Sequence, residues 1–188
     1  MIKINMSMDE GIDYINISSY SRLKAGRKLA IGYPAMFSTV IGKVSSIRSA
    51  MDYITIPNYP SKLLNKAKLS KHDISTIPNE KNSLPNYKAV LTYFIGMRIL
   101  ADEELQKELG DLDYKIKVTS FNIINDPIVG KNLVYNENMG SYCGIVSKII
   151  KLINRNDFNI ETLNDLVIEH TKVPDVELFS GAAVKIGV

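Results

Sequence analysis

The segment Asn125-Asp126-Pro127-Ile128-Val129-Gly130-Lys131 and the nearby Asn138 and Ser141-Tyr142-Cys143-Gly144 hold the residue types most able to do chemistry in this chain. Asp126 supplies a carboxylate of the kind a general acid or base needs. A helix opened by Ser141, with Asn138 beside it, would present free backbone N–H groups to an anion, and Lys131 would add a point charge. The bland alternative for Asn125-Asp126-Pro127 is a turn that follows a helix end, its Asx side chains bonding the backbone. Gly130, Gly140 and Gly144 lack the spacing of either common phosphate-binding glycine loop.

Other chemistry has weaker support. Cys143 as nucleophile would need His170 as base and an Asp or Asn as orienter; in an apolar helix it reads instead as a small core thiol. The two histidines, His72 and His170, are far apart in sequence, so no metal site is expected. Asp102-Glu103-Glu104 holds paired carboxylates, but at the end of a long helix it reads as a solvated face. Arg22, Lys24, Arg27 and Lys28, and Lys62, Lys66, Lys68 and Lys71, could follow a nucleic-acid backbone, with Tyr20, Tyr33, Tyr53 and Tyr59 to stack on bases. The plainer account is two solvated basic faces.

These residues need elements to position them. Ser7-Met8-Asp9-Glu10 has the form of a capping box, with Met8, Ile12 and Ile15 on one face of a following helix. Ser19 to Leu29 reads as a basic helix, and Phe37 to Lys43 as extended chain with a tight turn. Ser46 caps a helix burying Ile47, Ala50, Met51 and Ile54, which Pro57 and Pro60 end. Pro60 to Pro85 is polar and broken; a helical turn starts at Ser70, and the Pro78 to Pro85 loop is a candidate flap. Tyr87 to Leu109 is the clearest helix, stopped by Gly110. Tyr114, Ile116 and Val118 alternate as in a strand. Tyr142 to Ile153 and Thr162 to Glu169 read as helices, and Val184 to Val188 as a closing strand. The sum is a single helix-rich α+β domain with a small sheet, spanning residues 1–188.

Composition narrows the function classes. The chain has 188 residues, 45% hydrophobic and 23% charged, enough for one sizeable core. No apolar run reaches the roughly 18–20 residues that cross a bilayer, and the start lacks a signal-peptide pattern, so no membrane partner is expected. One cysteine makes no internal disulfide, which fits a cytoplasmic protein; the sequon Asn16-Ile17-Ser18 then carries no glycan. The formal charge of +3 permits an anionic ligand without calling for nucleic acid. Abundant Lys, Ile and Asn suit an AT-rich gene of a phage or a low-GC bacterium.

From Gly42 to Ile153 the order and spacing of several short motifs resemble the NADAR (NAD- and ADP-ribose-associated) N-glycosidase-like family. They are Gly42-Lys43 before Ser46-Ile47, the helix Val90 to Ile99 running into Ala101-Asp102-Glu103-Glu104-Leu105, Asn125-Asp126 before Val129-Gly130-Lys131, and Ser141-Tyr142-Cys143-Gly144 opening an apolar helix. The chain is also similar to a small family of T4-type phage proteins, a likeness that includes Met1-Ile2-Lys3-Ile4-Asn5 and Ser18-Ser19. The resemblance implies a NADAR-like pocket formed by Ser46, Arg48, Asn125, Asp126, Lys131, Asn138 and Ser141. Two family acids are replaced: the Ser-Glu pair is Ser46-Ile47, and Trp-Gly-Asp is Val129-Gly130-Lys131. N-glycosidic cleavage builds positive charge that a carboxylate stabilises, so the expectation is a phage-type accessory protein that binds a nucleotide-like or phosphorylated ligand without cleaving it and without a cofactor. In that pocket Arg48 and Lys131 would pair with phosphate, Asn125 and Asn138 would bond a sugar or base, and Asp126 would orient one of them. The alternatives are an active N-glycosidase using Asp126 on ADP-ribose-like or nucleoside substrates, and an interaction protein that meets a host partner through Lys62 to Asn86.

Overall fold

A computed structural model describes residues 8–126 and 130–173; for residues 122–126, 130–135 and 137 it describes the backbone alone. In chain order the elements are β1 (Tyr14–Asn16), α1 (Lys24–Lys28), β2 (Phe37–Thr39), β3 (Gly42–Val44), α2 (Ile47–Thr55), α3 (Lys71–Ser75), α4 (Tyr87–Leu100), α5 (Glu103–Gly110), β4 (Lys117–Thr119), β5 (Phe121–Asp126), β6 (Gly130–Tyr135), α6 (Gly140–Asn154) and α7 (Ile160–Glu169). Short 3₁₀ turns lie at Ser61–Leu63 and Glu137–Met139. The class is α+β and helix-rich, with three two-stranded sheets among the described residues. The expected closing strand at Val184 to Val188 falls outside them.

The chain forms two compact units, each assembled from separated stretches: Met1–Ala30 with Asp102–Phe158, and Ile31–Ala101 with Asn159–Val188. In unit 1, β1 pairs in parallel with β4, Tyr14 opposite Lys117. β5 and β6 form an antiparallel hairpin. Its core joins Ile15 and Ile17 to Leu105, Leu109, Ile145 and Ile149. The α6 side chain Tyr142 donates from its hydroxyl to the Leu29 carbonyl at 2.7 Å, which satisfies a buried phenol. At Gly26 in α1, a Cβ would stand 2.3 Å from the Asn16 carbonyl oxygen, so only glycine fits there.

The amino-terminal part of unit 1 departs from the helices expected of it. Residues 9–16 form a turn and β1 rather than a capped helix. The Glu10 carboxylate accepts from Asn16 N, Ser21 Oγ and Arg22 N; Ser7, its expected capping partner, lies outside the described residues. The basic helix contracts to Lys24–Lys28. The expected helix from Tyr87 to Leu109 is divided, because the Asp102 carboxylate accepts from Leu105 N at 2.9 Å and caps a new helix, α5.

In unit 2, the expected turn in Phe37 to Lys43 is the β2–β3 hairpin, with Phe37 opposite Val44. α2 begins where Ser46 was expected to cap it. α4 is buried on nearly every side, as an all-round apolar helix must be. Gly96 lets it pack closely on α7, where Leu163 is fully buried. Residues 79–84 form no regular element but are tied down: Asn82 N donates to the Thr55 carbonyl, and Lys81 pairs with Asp52 at 2.9 Å.

Candidate functional site

The start of α2 carries a mutual pair of hydrogen bonds. Ser46 Oγ accepts from Ser49 N at 3.0 Å, and Ser49 Oγ accepts from Ser46 N at 3.1 Å. Arg48 N donates to the Ile31 carbonyl. The backbone donors at Ser46, Arg48 and Ser49 are therefore satisfied internally. Ser46 Oγ, as an acceptor from Ser49 N, still has its own O–H to donate.

A cavity of about 140 Å³ opens beside this helix start, lined by Gly32, Ser46, Arg48, Asp52, Tyr59 and Lys66 among others. Arg48 is exposed, and its guanidinium makes no hydrogen bond or ion pair among the described residues. It sits in the first turn of α2, which has no acidic residue. The helix dipole disfavours a cation there, so an anion in the cavity would relieve an existing electrostatic cost. Tyr59 is 4% exposed, with its ring edge-on to Tyr53, yet its hydroxyl bonds to nothing among the described residues. Burial raises its pKa and the nearby Asp52 carboxylate raises it further, so the phenol stays protonated and able to donate. Lys66 Nζ lies 2.6 Å from Asp73 Oδ2, which also accepts from Ser70 N and Ser70 Oγ. The lining is thus rich in donors, and its one carboxylate, Asp52, is already paired with Lys81.

No protein-family model, curated protein or solved structure matches this chain at a significant level. The site's chemistry is therefore read from its own residues.

Of the residues expected to form one pocket, Ser46 and Arg48 share this cavity in unit 2. Asn125, Asp126, Lys131, Asn138 and Ser141 belong to unit 1. Asn125 to Lys131 does not follow a helix end; it spans the β5–β6 hairpin, with Asn125 opposite Lys131 and Asp126 opposite Gly130. Asn138 and Ser141 are exposed on either side of the start of α6, which has no side-chain cap.

Cys143, His170, Asp102 and Glu104 are each engaged within the fold. Burial pushes the Cys143 thiol up to about 11, so it is protonated near neutrality. His170 Nδ1 lies 2.8 Å from Thr92 Oγ1, whose hydroxyl donates to the Lys88 carbonyl. Asp102 and Glu104 form an ion cluster around the buried Lys28 ammonium, at 3.2 and 2.8 Å. Burial favours the neutral amine, but hydrogen bonds to Glu104 and Asp102 outweigh it and raise the Lys28 pKa. Among the described residues, no three His, Cys, Asp or Glu side chains gather to hold a metal ion.

Gly32 had no sequence signal, and Tyr59 and Lys66 were expected only as groups that could stack on bases or follow a nucleic-acid backbone, not as lining of a pocket with Ser46 and Arg48. At Gly32 a Cβ would stand 3.5 Å from Arg48 Nε, an ordinary contact distance. Ser46, expected as the cap of α2, was the local signal of this helix start; its partner Ser49 was not.

Proposed function

We propose that the protein binds a phosphorylated, nucleotide-like small molecule through the Arg48 cavity and performs no bond cleavage there. The observation that carries this reading is Tyr59, a lining residue whose hydroxyl has no protein partner among the described residues, in a cavity that also presents the Arg48 guanidinium. Donors without acceptors call for an acceptor-rich group, and phosphate is the commonest such group in the cell. The cavity is smaller than the roughly 300–1,000 Å³ of sites that enclose a whole ligand. It suits one phosphate, with the rest of the ligand outside. The NADAR resemblance supports a nucleotide-like remainder and an accessory role of phage type.

The lining supports binding without cleavage: its carboxylate Asp52 is held by Lys81, and among the described residues it includes no histidine or cysteine. The test is thermal unfolding with inorganic phosphate, AMP, ADP-ribose and NAD, since a ligand of the native state raises stability by about 2.7 kcal/mol at a hundred times its Kd. AMP or ADP-ribose is expected to raise the Tm and remain intact. Arg48→Gln is expected to weaken binding by about 10–100-fold, the worth of a charge-assisted hydrogen bond, and Tyr59→Phe by less. A flat response across the panel, or equal binding by Arg48→Gln, would refute the proposal.

A further inference from the structure

The modest net charge conceals an uneven distribution. Unit 1 holds twelve Lys and Arg and twelve Asp and Glu, and unit 2 holds eleven against eight; within unit 2, residues 159–188 carry two against five and residues 31–101 nine against three. Of the three acids, Asp52 and Asp73 are paired with Lys81 and Lys66. Part of this charge lies on the stretch of chain that lines the cavity. Leu63, Lys66, Ala67 and Leu69 line it, and the same stretch carries Lys62, Lys68 and Lys71. All three of these lysines are exposed, and none makes an ion pair among the described residues. With Arg48 they make four uncompensated cations, more than a single phosphate in a small cavity engages.

We infer that the ligand is the phosphorylated end of a single-stranded nucleic acid. Its terminal phosphate occupies the cavity against Arg48 and Tyr59, and the following phosphodiesters run over Lys62, Lys68 and Lys71. This rests on the phosphate reading of the cavity and extends it outward. A terminal phosphate carries more charge than an internal diester and has no chain on one side. A terminal group suits a recess of about 140 Å³, while internal phosphates suit exposed lysines.

The experiment is fluorescence anisotropy with DNA and RNA single strands of about twelve nucleotides, within the span such surfaces cover. Each is phosphorylated at the 5′ end, at the 3′ end or at neither, and AMP is the competitor. One terminal phosphate is expected to tighten binding about tenfold, and Arg48→Gln to abolish that gain. The triple change Lys62→Gln, Lys68→Gln and Lys71→Gln is expected to flatten the dependence of log K on log salt by about 2, at roughly 0.7 per phosphate contact. These lysines are exposed, so the fold is not at stake. Equal binding with and without the terminal phosphate overturns the inference, as does a salt slope untouched by the triple change. If AMP binds and strands bind no better, the inference fails while the small-ligand function stands. If neither binds, both fail.

Discussion

The close approach of α4 and α7 makes one glycine substitution sharply informative. A Cβ at Gly96 would lie 2.2 and 2.5 Å from the two Leu163 methyl carbons and 2.9 Å from its Cγ. Carbon atoms in contact prefer about 3.5–4.0 Å, so Leu163 would have to retreat by more than about 1 Å. It is fully buried and has nowhere open to go. Overpacking of this kind costs about 1–3 kcal/mol, while alanine in a helix interior gains about 1 kcal/mol over glycine. An overlap this deep belongs in the upper half of the range, so Gly96→Ala should destabilise by about 1–2 kcal/mol. For a chain of this size that lowers the Tm by about 2–8 °C. Gly144 in α6 is the internal control: nothing lies within 4 Å of its Cβ position, so Gly144→Ala should stabilise by up to about 1 kcal/mol. In a Leu163→Ala background the obstruction is gone, and Gly96→Ala should turn stabilising, a coupling of about 2–3 kcal/mol. Urea unfolding followed by circular dichroism measures all four. Gly96→Ala and Gly144→Ala shifting stability equally and in the same direction would refute the packing account.

Other expectations concern charge and reactivity. Hydrogen bonds from Lys66 and Ser70 hold the Asp73 carboxyl well below the usual carboxylate range. Its contribution to stability is present above an unfolded pKa of about 3.9 and is lost as pH falls through the lower folded value, so Asp73→Asn should flatten the acid limb of a stability–pH curve. With its thiol pushed up to about 11, Cys143 should react with a disulfide reagent at pH 8 only after urea unfolding, as about one thiol in a thousand is then ionised; rapid native-state labelling would contradict its burial. Asp102→Ala should unfold more readily than Asp102→Asn by about 1 kcal/mol, because asparagine still caps α5; equal unfolding midpoints in urea would show that the cap contributes nothing.

What the sequence made legible was what neighbours in the chain decide. Ser46 caps α2 through Ser49, three residues on, and the apolar stripe from Tyr142 to Ile153 lies on α6. What it obscured was settled by distant partners. Glu10 resembles the closing residue of a capping box until Ser21 and Arg22 take its carboxylate. The periodicity from Tyr87 to Leu109 runs past Asp102, where a cap and the Lys28 ammonium intervene. The cavity divides the same way. Ser46 and Arg48 are adjacent in one helical turn and could be named from sequence. Tyr59 and Lys66 reach the cavity only through the packing of the segment after α2, a contact without local signature.

The interleaving of the two units bears on how the chain is made. β1 must wait for β4, about a hundred residues later, and the packing of α4 must wait for α7. On a ribosome neither unit can close until nearly the whole chain has emerged. The face of α4 that α7 covers would meanwhile stand open to solvent and to other nascent chains. Pairings so remote in sequence fold slowly, and late completion exposes such surfaces to aggregation. Yield in a foreign host should therefore depend on growth temperature and chaperone supply more steeply than the modest size of the chain suggests.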